Sequence, residues 1–311
     1  MEPAPVKGRK KVLIAVLGLL GLPVALVLSE AAAFHVVNRN NGTIVSSGEK
    51  REYLLYVPGS YDRARPAPLV ISMHGAGMWP GAQMAMSQWN DAAERHGFIV
   101  VYPSGRDGRG PRIWRAGGGA GLARDVRFIS ELIDTLKAKY NIDPARIYAN
   151  GLSNGGGMAF VLSCTLSDRI AAVGMVGAAH LLPWSWCTDQ RPVPMINFHG
   201  TADLATPYNG GKTWVAPKPF PDVAVWTANW ARRNRCAATP VESVVAADVM
   251  RIKYTDCAAD AVLYRIEGGG HTWPGGRLLP EWALGRTSRG IDATSEMWAF
   301  FRDHPLAAVS R

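Results

Sequence analysis

Short apolar runs alternate along the chain with longer segments in which apolar residues recur every three or four positions. The uninterrupted runs at 69–73 and 98–102 are typical of strands that are buried on both faces of a parallel sheet. Residues 125–140 instead carry apolar side chains at the spacing of one helix face. Because strands and helices alternate in this way, the pattern predicts an α/β fold with a mostly parallel central sheet covered by helices on both faces.

The same pattern extends over most of the chain. The predicted strands are 43–46, 51–57, 69–73, 98–102, 147–149, 171–176, 195–198, 249–254 and 262–266, and the predicted helices are 90–96, 125–140, a segment that begins directly after Ser153, 221–233 and 291–301. The first two strands form an opening hairpin, and the last two bring the sheet to its edge. In open α/β sheets ligands bind at the carboxyl ends of the strands, so residues that directly follow a strand are the candidates for function.

The first 33 residues have the organisation of an export signal. A positive stretch at 7–11 precedes an uncharged apolar run at 12–28, and small residues follow at 29–33. As a helix the run would be about 25 Å long, slightly short for a bilayer and longer than the usual core of a signal peptide. Both a cleaved signal peptide and an N-terminal membrane anchor therefore fit residues 1–33. Either one predicts a secreted or extracytoplasmic protein.

Composition indicates how many domains the chain forms and which classes of partner it is expected to lack. With 311 residues, 48% hydrophobic and 19% charged, the chain suits one large globular domain, predicted over 34–311. The net charge is +9, but no basic helix face or aromatic–basic alternation occurs, so we expect no nucleic-acid partner. The histidines share no ligand-like spacing, and the glycine-rich stretch 117–121 is not followed by Gly-Lys-Ser/Thr. We therefore expect neither a metal nor a cofactor.

The four cysteines agree with export, because an even number without metal-site spacing is typical of a disulfide framework in an oxidising compartment. Sequence alone allows three pairings. The most economical joins Cys164 to Cys187 and Cys236 to Cys257, each closing a loop of about 20 residues. The second bond would tie the strand at 262–266 to the end of the preceding helix, and we expect it to steady the loop beyond that strand.

The stretch Gly151-Leu152-Ser153-Asn154-Gly155 has the form of a nucleophile elbow, G-x-S-x-G, between a strand and a helix. Such a sharp turn lifts a serine hydroxyl to where a base can reach it, and it requires flanking residues without bulky side chains. The N–H groups of the following helix face the place where negative charge would develop. Short Gly/Ser turns are common, so the motif needs support from elsewhere in the chain.

An upstream loop supplies part of that support. His74-Gly75-Ala76-Gly77 follows the strand at 69–73 and has the form of an oxyanion loop. Glycines allow backbone N–H groups to face a substrate carbonyl, and we predict the N–H groups of Ala76 and Asn154 as the pair of donors. Trp79, just beyond this loop, is a candidate substrate-binding residue.

An acid and a histidine follow downstream. Asp203 lies in a turn after the strand at 195–198, and His271 lies in a glycine-rich loop after the strand at 262–266. The order Ser, Asp, His and the position of each residue after a strand predict Ser153 as nucleophile, His271 as general base and Asp203 as the acid that orients the imidazole. His199, earlier in the acid turn, is interpreted as structural. Trp273 is a second candidate substrate-binding residue.

With these residues placed, the chain resembles the polyhydroxybutyrate depolymerase-type esterases, secreted α/β-hydrolases that are similar to feruloyl and acetylxylan esterases. The resemblance runs from about Thr43 to Phe301. Its most specific motifs are YNIDP at 140–144, GLSNGG at 151–156, HGTAD at 199–203 with PYNGG at 207–211, and GHTWPG at 270–275. It implies an α/β-hydrolase fold with one catalytic domain over 34–311, the triad named above, and a cysteine pair at Cys236 and Cys257.

The resemblance also implies hydrolysis of carboxylic esters through an acyl-enzyme. The expected substrates are hydroxyalkanoate oligoesters or, alternatively, feruloyl or acetyl esters of plant polysaccharides. Three features depart from the family pattern and bear on which ester is bound: Ala76, the cysteine-free loop 117–121, and Arg124 where an acidic residue is common. No linker or surface-binding module follows Phe301, so we expect a small-molecule or oligomeric ester rather than solid polyester.

Two other functions are less favoured. An exported peptidase of this fold would be expected to carry a propeller or lid domain, which the sequence lacks. A non-catalytic envelope binding protein would have no need of the complete Ser, Asp and His set.

Overall fold

The computed structural model describes residues 40–105, 112–189, 191–277 and 279–307. The predicted signal or anchor at 1–33, with its apolar run at 12–28, lies outside the described residues. Among the residues that are described, no helix combines the length and the apolar character that crossing a membrane requires.

The strands of the described ranges are β1 (Gly42–Ser46), β2 (Glu49–Tyr56), β3 (Ala67–Met73), β4 (Ile99–Pro103), β5 (Ile142–Leu152), β6 (Ala172–Val176), β7 (Met195–Gly200), β8 (Gly211–Thr213), β9 (Ala216–Phe220), β10 (Val241–Ala246), β11 (Val249–Tyr254) and β12 (Ala261–Ile266). The helices are α1 (Pro80–Ser87), α2 (Trp89–His96), α3 (Ala120–Lys139), α4 (Asn154–Thr165), α5 (Val223–Arg233), α6 (Glu281–Leu284) and α7 (Ala293–Arg302), with a 3₁₀ turn at Trp184–Trp186.

Ten of these described strands form one sheet in the order β1-β2-β4-β3-β5-β6-β7-β12-β11-β10. The six central strands, from β4 to β12 in this order, are parallel to one another. Antiparallel pairs extend the sheet at both edges. Strands β8 and β9 form a separate small hairpin. The predicted mostly parallel sheet is therefore confirmed.

Each face of the sheet is covered by helices over its own apolar core. On one face α3, α4 and α5 bury side chains such as Phe128, Phe160 and Trp230. On the other face α1, α2 and α7 bury side chains such as Trp89 and Phe301. Every residue of β3 and β4 is buried, which explains why these strands are continuous apolar runs without alternation.

The sequence pattern missed three kinds of element. The edge strand β10 is mostly exposed, so it lacks the apolar pattern of the central strands. Strand β9 contains two prolines, which argue against a strand in the interior of a sheet but are tolerated in a short two-stranded hairpin. Helix α1 begins at Pro80, a residue favoured in the first turn of a helix.

Candidate active site

Ser153 stands between the end of β5 and the start of α4, with φ 54° and ψ −118°. A non-glycine residue rarely adopts this backbone conformation. It costs about 1–3 kcal/mol and must be imposed by the surrounding structure. The flanking glycines show how. A Cβ on Gly155 would lie 2.2 Å from the carbonyl oxygen of Met73, and a Cβ on Gly151 would lie 2.4 Å from the carbonyl carbon of Gly155. The elbow packs so closely against the end of β3 that neither position accepts a side chain.

The predicted acid and base lie together. Nδ1 of His271 is 2.7 Å from Oδ2 of Asp203, and both residues are buried. The loops after β7 and β12 meet here because these two strands are parallel neighbours in the sheet. The backbone N–H of His271 donates to the carbonyl oxygen of Leu284 at 2.6 Å, so α6 holds the histidine loop from the other side.

The carboxylate of Asp203 is surrounded by donors. Its Oδ1 accepts the backbone N–H groups of Ala205 and Thr206, each at 2.8 Å, and the hydroxyl of Thr206 lies 2.9 Å from Oδ2. Burial acts to raise the pKa of Asp203, but the hydrogen bond from His271, the nearby imidazoles of His271 and His199, and the backbone N–H of Thr206 together hold this pKa below its usual value. The group is therefore an anion fixed in one orientation.

A second histidine supports the acid loop. Nε2 of His199 is 2.6 Å from the carbonyl oxygen of Thr206 and 3.6 Å from Oδ2 of Asp203. A carbonyl oxygen only accepts hydrogen bonds, so Nε2 carries the proton. Burial lowers the pKa of His199, against the opposing charge of Asp203, and keeps the ring neutral. Sequence spacing pointed to neither this contact nor the role of Thr206.

Ser153 and His271 are linked by the end of β6. The backbone N–H of Ser153 donates to Val176 at 2.8 Å. The next residue, Gly177, has φ 47°, and a Cβ there would lie 3.0 Å from Nδ1 of His271 and 3.2 Å from Oδ2 of Asp203. The Val176–Gly177 dipeptide thus contacts both the elbow and the acid–base pair. The three predicted triad residues therefore lie together at the carboxyl ends of the central strands.

The predicted oxyanion donors adjoin the serine. A Cβ on Gly75 would lie 3.5 Å from Cβ of Ser153, so the loop that carries Ala76 passes directly beside the elbow. Asn154 is the first residue of α4, where backbone N–H groups have no partner within the helix. Within the described part of the chain, the backbone N–H groups of Ala76 and Asn154 donate to no acceptor. Both are available to a ligand.

The two candidate substrate-binding tryptophans differ. Trp79 is half-buried and forms the N-cap position of α1, directly after the oxyanion loop. Trp273 is 1% exposed, and its indole N–H donates to the hydroxyl of Thr294 at 3.0 Å. The interpretation of Trp273 as a substrate-contacting residue therefore does not fit its position, because the ring is packed in the core beneath the histidine loop.

Three large apolar side chains that the sequence pattern did not indicate lie exposed on the segments around Asp203 and His271. Leu204, which follows Asp203, is 78% exposed, Trp214 in the turn after β8 is 85% exposed, and Trp282 on α6 is 91% exposed. The hydroxyl of Thr213 donates to the carbonyl of Ala205 at 3.0 Å, which attaches the Trp214 turn to the acid loop. Exposure depends on the packing of loops and cannot be read from local sequence.

The two disulfides are Cys164–Cys187 and Cys236–Cys257, as predicted. The expected support of the histidine loop by the second bond does not fit the structure. Cys257 precedes the first residue of β12, whereas His271 follows the last. At about 3.3 Å per residue the six-residue strand separates them by roughly 20 Å.

Known esterases are similar to this chain in sequence. The sequence profile of the family described as "Esterase PHB depolymerase" matches residues 51–181, which include the oxyanion loop and the elbow. The chain is 31% identical over 239 residues to feruloyl esterase B of Piromyces equi, with 73% of this chain aligned. The profile match places the 51–181 part of the chain in the PHB depolymerase-type esterase family.

Other similarities agree with this membership. A bifunctional acetylxylan esterase/xylanase of Neocallimastix patriciarum is 34% identical over 156 residues, which is 50% of this chain. The acetyl xylan esterase of Aspergillus awamori superposes with a TM-score of 0.60 at 17% identity, covering 83% of this chain and 98% of that one. The fold is thus the α/β-hydrolase fold. This chain spans 44% of the Piromyces protein and 22% of the Neocallimastix protein.

Proposed function

We propose that this protein is an exported serine esterase that hydrolyses carboxylic esters with Ser153 as nucleophile, His271 as general base and Asp203 as orienting acid. The observation that carries the proposal is the 2.7 Å hydrogen bond between His271 Nδ1 and the ionised Asp203, beside a strained serine elbow. The bond holds the proton on Nδ1, which leaves Nε2 with the lone pair that a general base requires.

The mechanism follows from these roles. Nε2 of His271 accepts the Ser153 proton while Oγ attacks the ester carbonyl, and the resulting oxyanion accepts the Ala76 and Asn154 N–H groups. The imidazolium, stabilised by Asp203, then protonates the leaving alkoxide, and the acyl group remains on Oγ. Water, deprotonated by the same imidazole, attacks the acyl-enzyme and releases the acid with the serine restored.

Two substrate classes are supported by different observations. The description of the family supports hydroxyalkanoate oligoesters. The names of the relatives support feruloyl or acetyl esters carried by plant polysaccharides. The exposed indoles of Trp214 and Trp282 suit either class, since an aromatic face binds apolar chains as well as sugar rings.

Export is proposed on two grounds. The charged, apolar and small-residue stretches of 1–33 have the order of a signal or anchor. Both disulfides are of a kind that persists in oxidising compartments rather than in the cytosol.

The test compares Ser153→Ala with wild type on a nitrophenyl butyrate, methyl ferulate, acetylated xylan and hydroxybutyrate oligomers. We expect Ser153→Ala to lower kcat by about 10⁶ on every ester that wild type hydrolyses, because the acyl-enzyme cannot form. Ser295→Ala is the matched control, since Ser295 is exposed on α7. If Ser153→Ala keeps activity within about tenfold of wild type, the proposed nucleophile is wrong.

A further inference from the structure

A short irregular segment contacts both halves of the predicted oxyanion hole. Residues 112–115, called here the 112–115 segment, have no regular secondary structure, yet Arg112 and Trp114 are buried. The carbonyl oxygen of Arg112 accepts the N–H of Gly77 at 2.8 Å, which holds the oxyanion loop. Two residues further on, Trp114 holds Asn154, the residue that follows the nucleophile.

The contact with Asn154 uses both groups of one side-chain amide. Oδ1 of Asn154 accepts the backbone N–H of Trp114 at 2.7 Å, and Nδ2 donates to the carbonyl oxygen of Trp114 at 3.1 Å. The side-chain amide of Asn154 thereby makes the same two hydrogen bonds with the Trp114 backbone that a residue of a neighbouring β-strand would make. Asn154 is also buried, so water cannot replace these bonds. The first turn of α4 is in this way fastened to the 112–115 segment.

His74 orients the other half of the hole. Its Nε2 accepts the N–H of Gly105 at 2.9 Å, so Nδ1 carries the proton and donates to the carbonyl oxygen of Gly75 at 2.7 Å. Burial lowers the pKa of His74 to about 4, so the ring is neutral near pH 7. The His74 ring also packs against the indole of Trp114, with centroids 5.5 Å apart.

These bonds set the direction of the Ala76 amide. In a planar trans peptide the C=O and N–H point in opposite directions. The Gly75 carbonyl is held by His74, so the Ala76 N–H of the same peptide points away from that ring. The next peptide, between Ala76 and Gly77, is also held, because the Gly77 N–H donates to the carbonyl oxygen of Arg112. Ala76 thus lies between two fixed peptide planes, one of which depends on the 112–115 segment.

The 112–115 segment is itself held by a buried ion pair. The N–H of Arg115 donates to Oδ2 of Asp125 at 2.8 Å, and the other oxygen of Asp125 pairs with Arg51 at 3.0 Å. Asp125 and Arg51 are both buried, and the Arg51 guanidinium lies 4.0 Å above the ring of Phe128. A charged network that is itself packed into the core therefore fixes the segment in place.

We propose that the 112–115 segment aligns the two oxyanion donors with each other, and that the side chain of Asn154 is the positioning residue that couples the segment to the nucleophile helix. The inference rests on the proposed ester hydrolysis at Ser153. The Asn154 backbone N–H contacts the oxyanion, whereas its side chain acts only through Trp114. Loss of the side-chain amide therefore leaves both donors present and misaligns them.

The test compares Asn154→Leu, which removes both bonds, and Asn154→Asp, which keeps the acceptor and removes the donor. The matched control is Asn234→Leu. Asn234 is also buried, accepts the N–H of Val193 at 3.0 Å and donates to the carbonyl of Val193 at 2.8 Å, the same pairing at a different place in the fold. For each variant we would measure the melting temperature, kcat and KM for nitrophenyl butyrate, and Ki for butylboronic acid. The tetrahedral serine adduct of this inhibitor places an oxygen in the hole.

For the folded Asn154 variants we expect kcat to fall about 10- to 100-fold with KM within about threefold, and Ki for the boronic acid to rise by a factor similar to the fall in kcat. Asn234→Leu should lower the melting temperature without changing kcat or Ki by more than about twofold. Asn154→Asp is informative where Asn154→Leu does not fold.

Two results would overturn the inference. One is a folded Asn154 variant with kcat and Ki within about twofold of wild type. The other is a loss of kcat without a matching rise in Ki, since that would indicate damage elsewhere than in the hole. If Ser153→Ala retains activity, the proposed function fails first. If it does not, these results bear on the positioning role alone.

Discussion

At the scale of single residues, Asp203 shows how a buried charge is made compatible with an apolar core. Burial alone would raise the pKa of the carboxyl group, and the surrounding donors reverse this shift. Thr206 contributes twice, through its backbone N–H to Oδ1 and through its hydroxyl near Oδ2. The same hydroxyl lies 3.3 Å from Nδ1 of His271, so Thr206 contacts both partners of the acid–base pair.

Thr206→Val tests this contribution. Removing the hydroxyl takes one donor from an ionised group, a loss of about 1.5–3 kcal/mol, and we expect kcat/KM to fall by about tenfold or more. Thr206→Ser keeps the hydroxyl and should stay within about threefold of wild type. Steady-state kinetics on a nitrophenyl ester measure both variants. Equal activity of the Val and Ser variants would show that the hydroxyl does not assist the acid.

At the scale of elements, the end of α7 is joined to the start of β12 by a pair of charged groups. Nε2 of His304 is 3.5 Å from Oδ2 of Asp260, while Nδ1 donates to the carbonyl oxygen of Phe300 at 2.7 Å. Burial acts to lower the pKa of His304, but Asp260 and the Phe300 carbonyl outweigh it and the pKa is raised. The hydrogen bond from His304, together with Lys253, lowers the pKa of Asp260 to about 2.

The sign of the His304 shift gives a prediction for stability. A group whose pKa is raised on folding stabilises the protein fully below its unfolded pKa, about 6.5, and this contribution is lost as the pH rises through the folded value. We therefore expect His304→Asn to lower the melting temperature more at pH 5 than at pH 8. Thermal unfolding at the two pH values measures the difference.

Asp260→Asn provides the control for this pair. In the Asp260→Asn background, the difference between the effects of His304→Asn at pH 5 and at pH 8 should shrink, because the carboxylate that contributes most to raising the pKa of His304 is gone while the Phe300 carbonyl and the Asp303 charge remain. If His304→Asn in the otherwise wild-type protein lowers the melting temperature equally at pH 5 and at pH 8, the predicted linkage is contradicted.

At the scale of the whole molecule, the disulfides and the site lie at different ends of the elements they share. Cys236–Cys257 joins the chain after α5 to the loop before β12. His271 follows the opposite end of β12, and that strand is paired on both sides, with β7 and β11. The hydrogen bonds on both sides of β12 therefore hold the strand in place, so loss of the disulfide should not move the histidine loop.

We expect replacement of Cys236 and Cys257 by Ser to lower stability by about 3 kcal/mol, the value for a loop of this size, and the melting temperature by about 6–12 °C. Well below that temperature kcat should remain within about twofold of wild type. Calorimetry and kinetics at 25 °C measure the two effects, with the Cys164/Cys187 double variant for comparison. A large loss of kcat at an unchanged melting temperature would mean that the bond does support the site.

Several parts of the structure could be predicted from local sequence because one physical cause dominated them. Strands β3 and β4 are buried on both faces, so their continuous apolar runs gave bounds within two residues of those observed. The elbow at Ser153 could be recognised because close packing against Met73 excludes a side chain at Gly151 and Gly155. The order of Ser153, Asp203 and His271 after parallel strands likewise reflects a constraint that acts along the chain.

Other features arise only when distant segments meet. The Asn154–Trp114 pairing joins residues 40 positions apart, and the Thr206–His271 contact joins residues 65 positions apart. Nothing in the local pattern near Trp273 distinguishes a buried indole from the exposed one of Trp282, because burial depends on which loops pack above each ring. The sequence by itself determined the central parallel strands of the sheet, the elbow, and which residues follow those strands. The tertiary structure decided how the loop carrying Ala76 lies beside Ser153 and which large side chains remain exposed, since both depend on contacts between segments that no short stretch encodes.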